Sequence, residues 1–176
     1  MAIHELLVRE AVVGDVPAMM AIYNHYVERS PATFDTVPVS LENRLAWFEH
    51  YAERGPFRLV VAERDGKVVG YAGSGKFREK PAYVTSVEMT VYVHPEARGE
   101  GVGARMYQQL FALLADQPIH RAYAGVTLPN PVSIALHRRF GFRDIGVYDE
   151  VGFKLGQYWS VQWLEKSMPF GGDPLQ

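Results

Sequence analysis

The segment "SVEMTVYVHPEARGEGVGARM", residues 86–106, constrains the fold more tightly than any other stretch, because it joins two kinds of regular structure through almost bare backbone. Val87, Met89, Val91 and Val93 alternate with Ser86, Glu88, Thr90 and Tyr92, the two-residue period of a strand with unlike faces. Gly99, Gly101 and Gly103 then stand at every second position, and a helix is expected to follow as far as about Ala115. Glycines between a strand and a helix let the chain turn tightly. They also leave N–H groups uncovered at the helix start, where the aligned peptide dipoles favour an anion. Arg98 and Arg105 flank the turn and would add charge-assisted bonds to phosphate oxygens. The segment therefore predicts a ligand carrying a pyrophosphate.

Three readings of this turn compete. A kinase-type phosphate loop ends in Gly-Lys-Ser/Thr, which Gly103-Ala104-Arg105 does not supply. A dinucleotide-binding turn is satisfied by letter at Gly99, Gly101 and Ala104. It also wants an acid about 20 residues on, at the end of the next strand, and Asp116 falls instead at the end of the helix. The third reading is a glycine-rich turn that binds nothing.

Composition bounds the molecule around this segment. A chain of 176 residues with 48% apolar and 12% aromatic side chains suffices for one domain with a buried core, here expected over about residues 7–166 with 167–176 as a loose tail. A formal charge of −2 provides no overall basic field for nucleic acid or anionic lipid, so any cationic site must be local. The N-terminal stretch lacks a basic start followed by a long apolar run, and no window approaches the roughly 18 apolar residues of a membrane span. The absence of cysteine rules out disulfides, thiolate metal sites and a cysteine nucleophile. The expectation is a cytoplasmic protein with no metal, membrane or nucleic-acid partner.

Elsewhere "LLVREAV" reads as a first strand, and Asp15 stands where a helix N-cap belongs, before Val16, Met19, Met20, Tyr23 and Val27 at helical spacing. Ser40 is expected to cap a second helix through residues 41–54, ended by Gly55 and Pro56. "FRLVVAE" and "KVVGYAG" flank Asp65-Gly66, a strong hairpin signal. A β-rich run covers residues 82–93, and a strand is expected near 122–128. A short helix over 131–140 is closed by Gly141, and two more strands are expected at 146–151 and 158–165. The fold class is α+β or α/β, a mixed sheet flanked by helices.

Arg98-Gly99-x-Gly101-x-Gly103, preceded by "MTVYVHPE" and followed by Asn130 and "ALHRRFGF", resembles the acetyl-CoA-binding core of the GNAT N-acetyltransferase superfamily. "AIYNHYVERSPATFDT", "AWFE", "AYVTSVEMTVYV" and "NPVSIALHRRFGF" resemble the branch containing phosphinothricin and methionine sulfoximine/sulfone acetyltransferases. The resemblance implies a mostly antiparallel mixed sheet with one splayed pair of strands and about four helices. Val91, Tyr92 and Val93 would offer backbone to the pantetheine arm of acetyl-CoA. The amides of Gly99, Glu100, Gly101, Val102, Gly103 and Ala104, with Arg98, would hold its pyrophosphate, and Asn130 and Ser133 the far side of the arm.

For the chemistry, Glu88 is the candidate general base, since a carboxylate desolvated on that strand titrates nearer neutrality. The resemblance puts His137 where the wider superfamily commonly has a tyrosine. The histidine would donate to the leaving thiolate or accept from the amine, and the donor role is the expected one. Transfer is expected to be direct, because there is no cysteine and no serine has a recognisable His/Asp set. The resemblance implies a small amino-acid-like amine as acceptor, its carboxylate bound in the loop before the Glu88 strand. Arg78 and Lys80 in "GKFREKPAY", with Glu79 between them, would meet its carboxylate. Phe34, Phe77 and Tyr83 would wall its pocket, beside Glu88, Met89 and Thr90. A homodimer is implied, with residues 158–165 as one possible interface. A non-catalytic acetyl-CoA sensor and a dinucleotide-binding module stay open as alternatives.

Overall fold

The computed structural model describes residues 5–169. Along the chain come β1 (Leu6–Glu10), α1 (Val16–Arg29), α2 (Leu41–Phe48), β2 (Leu59–Arg64), β3 (Lys67–Lys76) and β4 (Ser86–Val93). They are followed by α3 (Val102–Leu114), β5 (Arg121–Thr127), α4 (Pro131–Arg139), β6 (Arg143–Lys154) and β7 (Gln157–Ser167). The strands form one sheet in the order β1-β2-β3-β4-β5-β7-β6, antiparallel throughout except between β4 and β5. This is the mixed α+β sheet that the patterning predicts, with the hairpin at Asp65 and Gly66, where φ is 50° and 75°.

Both faces of the central strands are buried, and β2 shows how. Val60 and Ala62 pack with Ala72, Met89 and the apolar stripe of α3, Val102, Met106 and Leu110. Leu59 and Val61 point the other way, onto Val16, Met19 and Ile22 of α1. Successive residues serve opposite cores, so the strand reads as continuously apolar instead of alternating. The chemistry-bearing face of β4, with Glu88, Thr90 and Tyr92, shares the α1 and α2 side.

Several elements differ from the sequence expectation. The second helix stops at Phe48, well short of residue 54. The His50 and Tyr51 amides bond the carbonyls three residues back, Trp47 O and Phe48 O, and the Ala52 amide turns to Phe57 O. Residues 82–85 do not extend β4, because Pro81–Tyr83 form a single 3-10 turn. Strands β6 and β7 run longer than expected at both ends. Asp15 does not cap α1 with its side chain. It accepts two hydrogen bonds from Arg9, at 2.8 and 2.9 Å, and one from the Val12 amide, bracing β1 against the helix entry. Of the expected tail, Ser167 ends β7 and Met168 is buried, while residues 170–176 lie outside the described residues.

Candidate active site

β4 and β5 run side by side only over Ser86–Glu88, whose partners are Arg121–Tyr123. β5 then stays with β7 as far as Thr127 and leaves β4 behind. A cleft of about 970 Å³ opens between the parted strands, walled by residues 88–93, the turn before α3, the end of β5 and the start of α4. The His94 amide donates to Val69 O on β3 at 2.8 Å, so strand alternation turns the backbone of Val91 and Val93 toward the opening. Tyr26 on α1 donates its hydroxyl to Val93 O at 2.5 Å, which occupies one of the backbone groups expected to meet a ligand.

At the cleft's floor, α3 begins on Gly101 with no side-chain cap, so its first N–H groups are left for a ligand. Gly99 and Gly101 take φ of 80° and 75°, a left-handed backbone that a side chain would strain. Gly103 is set apart by space instead: a Cβ there would lie 3.2 Å from Leu136 Cδ2 and 3.7 Å from Val91 Cγ2, both on the cleft wall. Arg98 lines the cleft, its Nε donating to Tyr26 Oη at 3.2 Å. Val102 and Ala104 line it as well. Glu100 does not, and its carboxylate pairs with Arg64 instead. Arg105 is exposed and also stands outside the lining.

Glu88, Met89, Thr90 and Tyr92 all reach the cleft, as does Phe34. Glu88 has no hydrogen-bonded partner among the described residues, and burial raises its pKa above the usual carboxylate range, against the opposing pull of Arg78. The loop over residues 77–83 stands beside the cleft instead of lining it. Phe77 stacks on Tyr123 at 4.4 Å between centroids, Tyr83 packs edge-on against Phe77, and the Arg78 guanidinium lies 4.4 Å over the Phe77 ring. Glu79 pairs with Lys76, and Lys80 is exposed. Tyr123 is the register partner of Glu88, so this loop forms a cationic rim next to the acid.

His137 is 2% exposed, with both ring nitrogens engaged. Nδ1 lies 2.8 Å from the Ser133 carbonyl, which can only accept, so Nδ1 carries the proton and Nε2 accepts from the Tyr107 hydroxyl at 2.8 Å. Burial lowers the imidazole pKa, keeping it neutral. In this arrangement the ring lines the cleft but offers it no free proton. Asn130 and Ser133 line the cleft too, with Asn130 Oδ1 capping α4 through the Ser133 amide at 3.1 Å.

Several wall residues escaped the sequence reading: Trp163 of β7, Gly125–Thr127 of β5, and Tyr148 and Val151 of β6. They are far apart in sequence and meet only because β7 lies between β5 and β6. Lys154 fastens that hairpin to the segment before Phe34, donating to the carbonyls of Ser30 and Thr33 at 2.8 and 2.7 Å. Among the described residues, no group of three or more His, Asp or Glu side chains is arranged to hold a metal, and no helix is long and apolar enough to cross a membrane.

Comparison with known proteins agrees with this geometry. The model of the acetyltransferase (GNAT) family matches residues 19–142. A phosphinothricin N-acetyltransferase of Streptomyces coelicolor is 49% identical over 166 residues, covering 93% of this chain and 97% of the relative. An L-methionine sulfoximine/L-methionine sulfone acetyltransferase of Pseudomonas aeruginosa is 36% identical, covering 92% and 94%. The crystal structure of a phosphinothricin acetyltransferase from Sinorhizobium meliloti in complex with AcCoA superposes with a TM-score of 0.86 at 31% identity, over 93% of this chain and 88% of that one. With its sheet parted between β4 and β5 and a match of this extent, the chain belongs to the GNAT acetyltransferase family.

Proposed function

We propose that the chain acts as one N-acetyltransferase domain in the cytoplasm, moving the acetyl group of acetyl-CoA directly to the α-amino group of a small amino-acid analogue such as phosphinothricin, methionine sulfoximine or methionine sulfone. One observation carries the reading: a single cleft holds both the uncapped helix start at Gly101 and the unpartnered Glu88. The residues fit the coenzyme. Free amides over residues 99–104 and the Arg98 guanidinium suit a diphosphate, and the parted strand backbone at Val91 suits an extended amide-bearing arm. Glu88 accepts the proton of the acceptor amine, and backbone N–H groups of the parted strand steady the carbonyl oxygen as it gains charge. Arg78 at the rim meets the acceptor's carboxylate. His137 holds the cleft wall, with Nδ1–H held by Ser133 O and Nε2 by Tyr107. As the amine nitrogen bonds the acetyl carbon the C–S bond breaks, and coenzyme A leaves through the open cleft as a thiolate that takes its proton from water. The dinucleotide alternative lacks its acid, since β5 ends on Thr127. The test is release of free thiol when pure protein meets acetyl-CoA and a panel of amino-acid analogues. Release with one of these three acceptors is the expected result, and none with any acceptor counts against the reading.

Phe34 forms part of the acceptor wall and needs Gly152 to do so, because a Cβ at position 152 would fall 2.4 Å from its ring. Gly152→Ala is expected to swing Phe34 outward. The acceptor KM should rise about tenfold for roughly 1.4 kcal/mol of lost apolar contact, with the KM for acetyl-CoA unchanged.

A homodimer forms part of the same proposal, on β6 and not on the residues 158–165 first considered. Most of β7 is half-buried or core, with Leu164 fully buried, whereas β6 is an edge strand with Ile145, Val151 and Phe153 more than half exposed. Unpaired edges with apolar side chains invite a second copy. Sedimentation should give a dimer mass for the wild type and a monomer mass for Phe153→Asp. A monomeric wild type would remove the proposal.

A further inference from the structure

A second cavity, of about 250 Å³, lies between α1, α2 and the sheet, and it shares Thr90 and Tyr92 with the large cleft. Its wall contains Arg44 of α2, which is only 6% exposed. The guanidinium lies 3.4 Å from the Trp47 ring centroid, 4.6 Å from that of Tyr23 and 5.2 Å from that of Tyr71. Its only hydrogen bond among the described residues runs from Nη2 to Tyr71 Oη, at 2.7 Å. Nε is buried with no partner, and Arg44 enters no ion pair among the described residues. Asp35, on the same cavity, is occupied by the Tyr23 hydroxyl at 2.6 Å. The aromatic rings offset part of the cost of burying this cation, but unfilled donors on a buried charge call for an anion.

A second orphan faces the same space. Thr90 Oγ1 is buried with no hydrogen bond of normal geometry among the described residues, and only the Tyr51 hydroxyl interacts with it. Asn43 adds an amide to the wall. Thr90 is two residues from Glu88 on the same strand face, a separation of about 7 Å, the reach of an amino-acid side chain of four or five atoms.

We infer that this cavity receives the far, oxygen-bearing head of the acceptor as an anion, so that Arg44 selects amino acids with a negatively charged head while their amine stays at Glu88. The inference rests on the acetyltransferase reading above and narrows its substrate class. The α-carboxylate stays with Arg78, and the head group fills the donors left open on Arg44 and Thr90. A neutral head of the same shape leaves the cation without its counter-charge, and hydrogen bonds to charged groups are the stronger ones.

The test compares phosphinothricin, whose phosphinate head is anionic, with methionine sulfone, whose tetrahedral head is neutral. In the wild type, kcat/KM should favour phosphinothricin. Arg44→Met should raise the phosphinothricin KM about tenfold or more beyond any rise for methionine sulfone, with the KM for acetyl-CoA and the pH profile unmoved. Thr90→Val, nearly isosteric, should shift discrimination in the same direction by a smaller factor, and it serves should Arg44→Met fail to fold. Equal losses for both acceptors, or no loss, would overturn the inference. Titration of phosphinothricin into the protein alone separates this inference from the catalytic reading. Binding that disappears in the Arg44 variant supports the cavity even if no thiol is ever released, and absence of binding to the wild type overturns it.

Discussion

Glu88→Gln is expected to lower kcat by about 10²–10⁴-fold while acetyl-CoA binding is retained. Glutamine preserves the size and the strand position but cannot take a proton. The loss therefore falls on the chemical step, and the wall of the cleft stays as it is. The pH dependence gives a second signature. A base must be ionised to act, so kcat/KM rises with pH through the titration of Glu88. Burial holds that titration above the exposed value of about 4.3, and the charge of Arg78 works in the other direction. The acid limb of the wild-type profile should therefore lie above that value. It should move further up in Arg78→Met, which removes the opposing cation, and disappear in Glu88→Gln. A Gln variant with wild-type kcat would show that another group takes the proton.

Gly103→Val is the second large effect. At position 103 a single added carbon already meets Leu136 of α4 at 3.2 Å and Val91 of β4 at 3.7 Å. A branched side chain must push Leu136 away or fill the narrowing of the cleft, and overpacking of this kind costs about 1–3 kcal/mol. If the coenzyme enters the cleft over α3 as proposed, that cost appears as lost affinity. The Kd for acetyl-CoA is expected to weaken about 100-fold by calorimetric titration. Gly101→Ala provides the contrast. Nothing lies within 4 Å of a Cβ there, but the φ of 75° is costly for alanine, so it should lower the unfolding temperature while obstructing the cleft less. Unchanged affinity in Gly103→Val would mean that the coenzyme does not pass over α3.

What the sequence made legible was local. The hairpin at Asp65-Gly66, the alternation over residues 86–93 and the glycine turn at 99–103 are written in adjacent residues, and each appears in the structure where the pattern puts it. The second helix reads past Phe48 because helical spacing persists, whereas the backbone leaves the helix there and the Ala52 amide bonds Phe57 O, a partner helical spacing does not specify. The site divides in the same way. Glu88, Thr90 and the residues of the turn follow from one strand and one helix start. By contrast, the family resemblance makes the loop at 77–83 a pocket wall, yet Phe77 stacks on Tyr123, Tyr83 packs on Phe77, and the loop is left as a rim. Glu100 sits inside the glycine motif but turns to Arg64, a partner no motif specifies. Arg44 was invisible because an arginine in "LENRLAWF" looks like the polar side of a helix. Only the packing of α2 against α1 and β3 adds Tyr23 and Tyr71 to the Trp47 ring of its own helix.

The arrangement also explains a division of labour across the sheet. In the proposed function residues 91, 93 and 103 would admit an extended ligand by backbone and absence of bulk, and the opposite face of β4, with Glu88, Thr90 and Tyr92, would meet the acceptor. One strand would thus serve two ligands, because its period of two separates them. Tyr26 links the halves, contacting Val93 O and Arg98 at once, and so fixes the guanidinium beside the helix start.

The most direct measurement is a crystal structure of the protein with acetyl-CoA. The account expects the diphosphate within hydrogen-bonding distance of the amides at 99–104, and the thioester carbonyl in the gap between β4 and β5 next to Glu88. A coenzyme bound elsewhere, or a diphosphate that leaves those amides untouched, would contradict it.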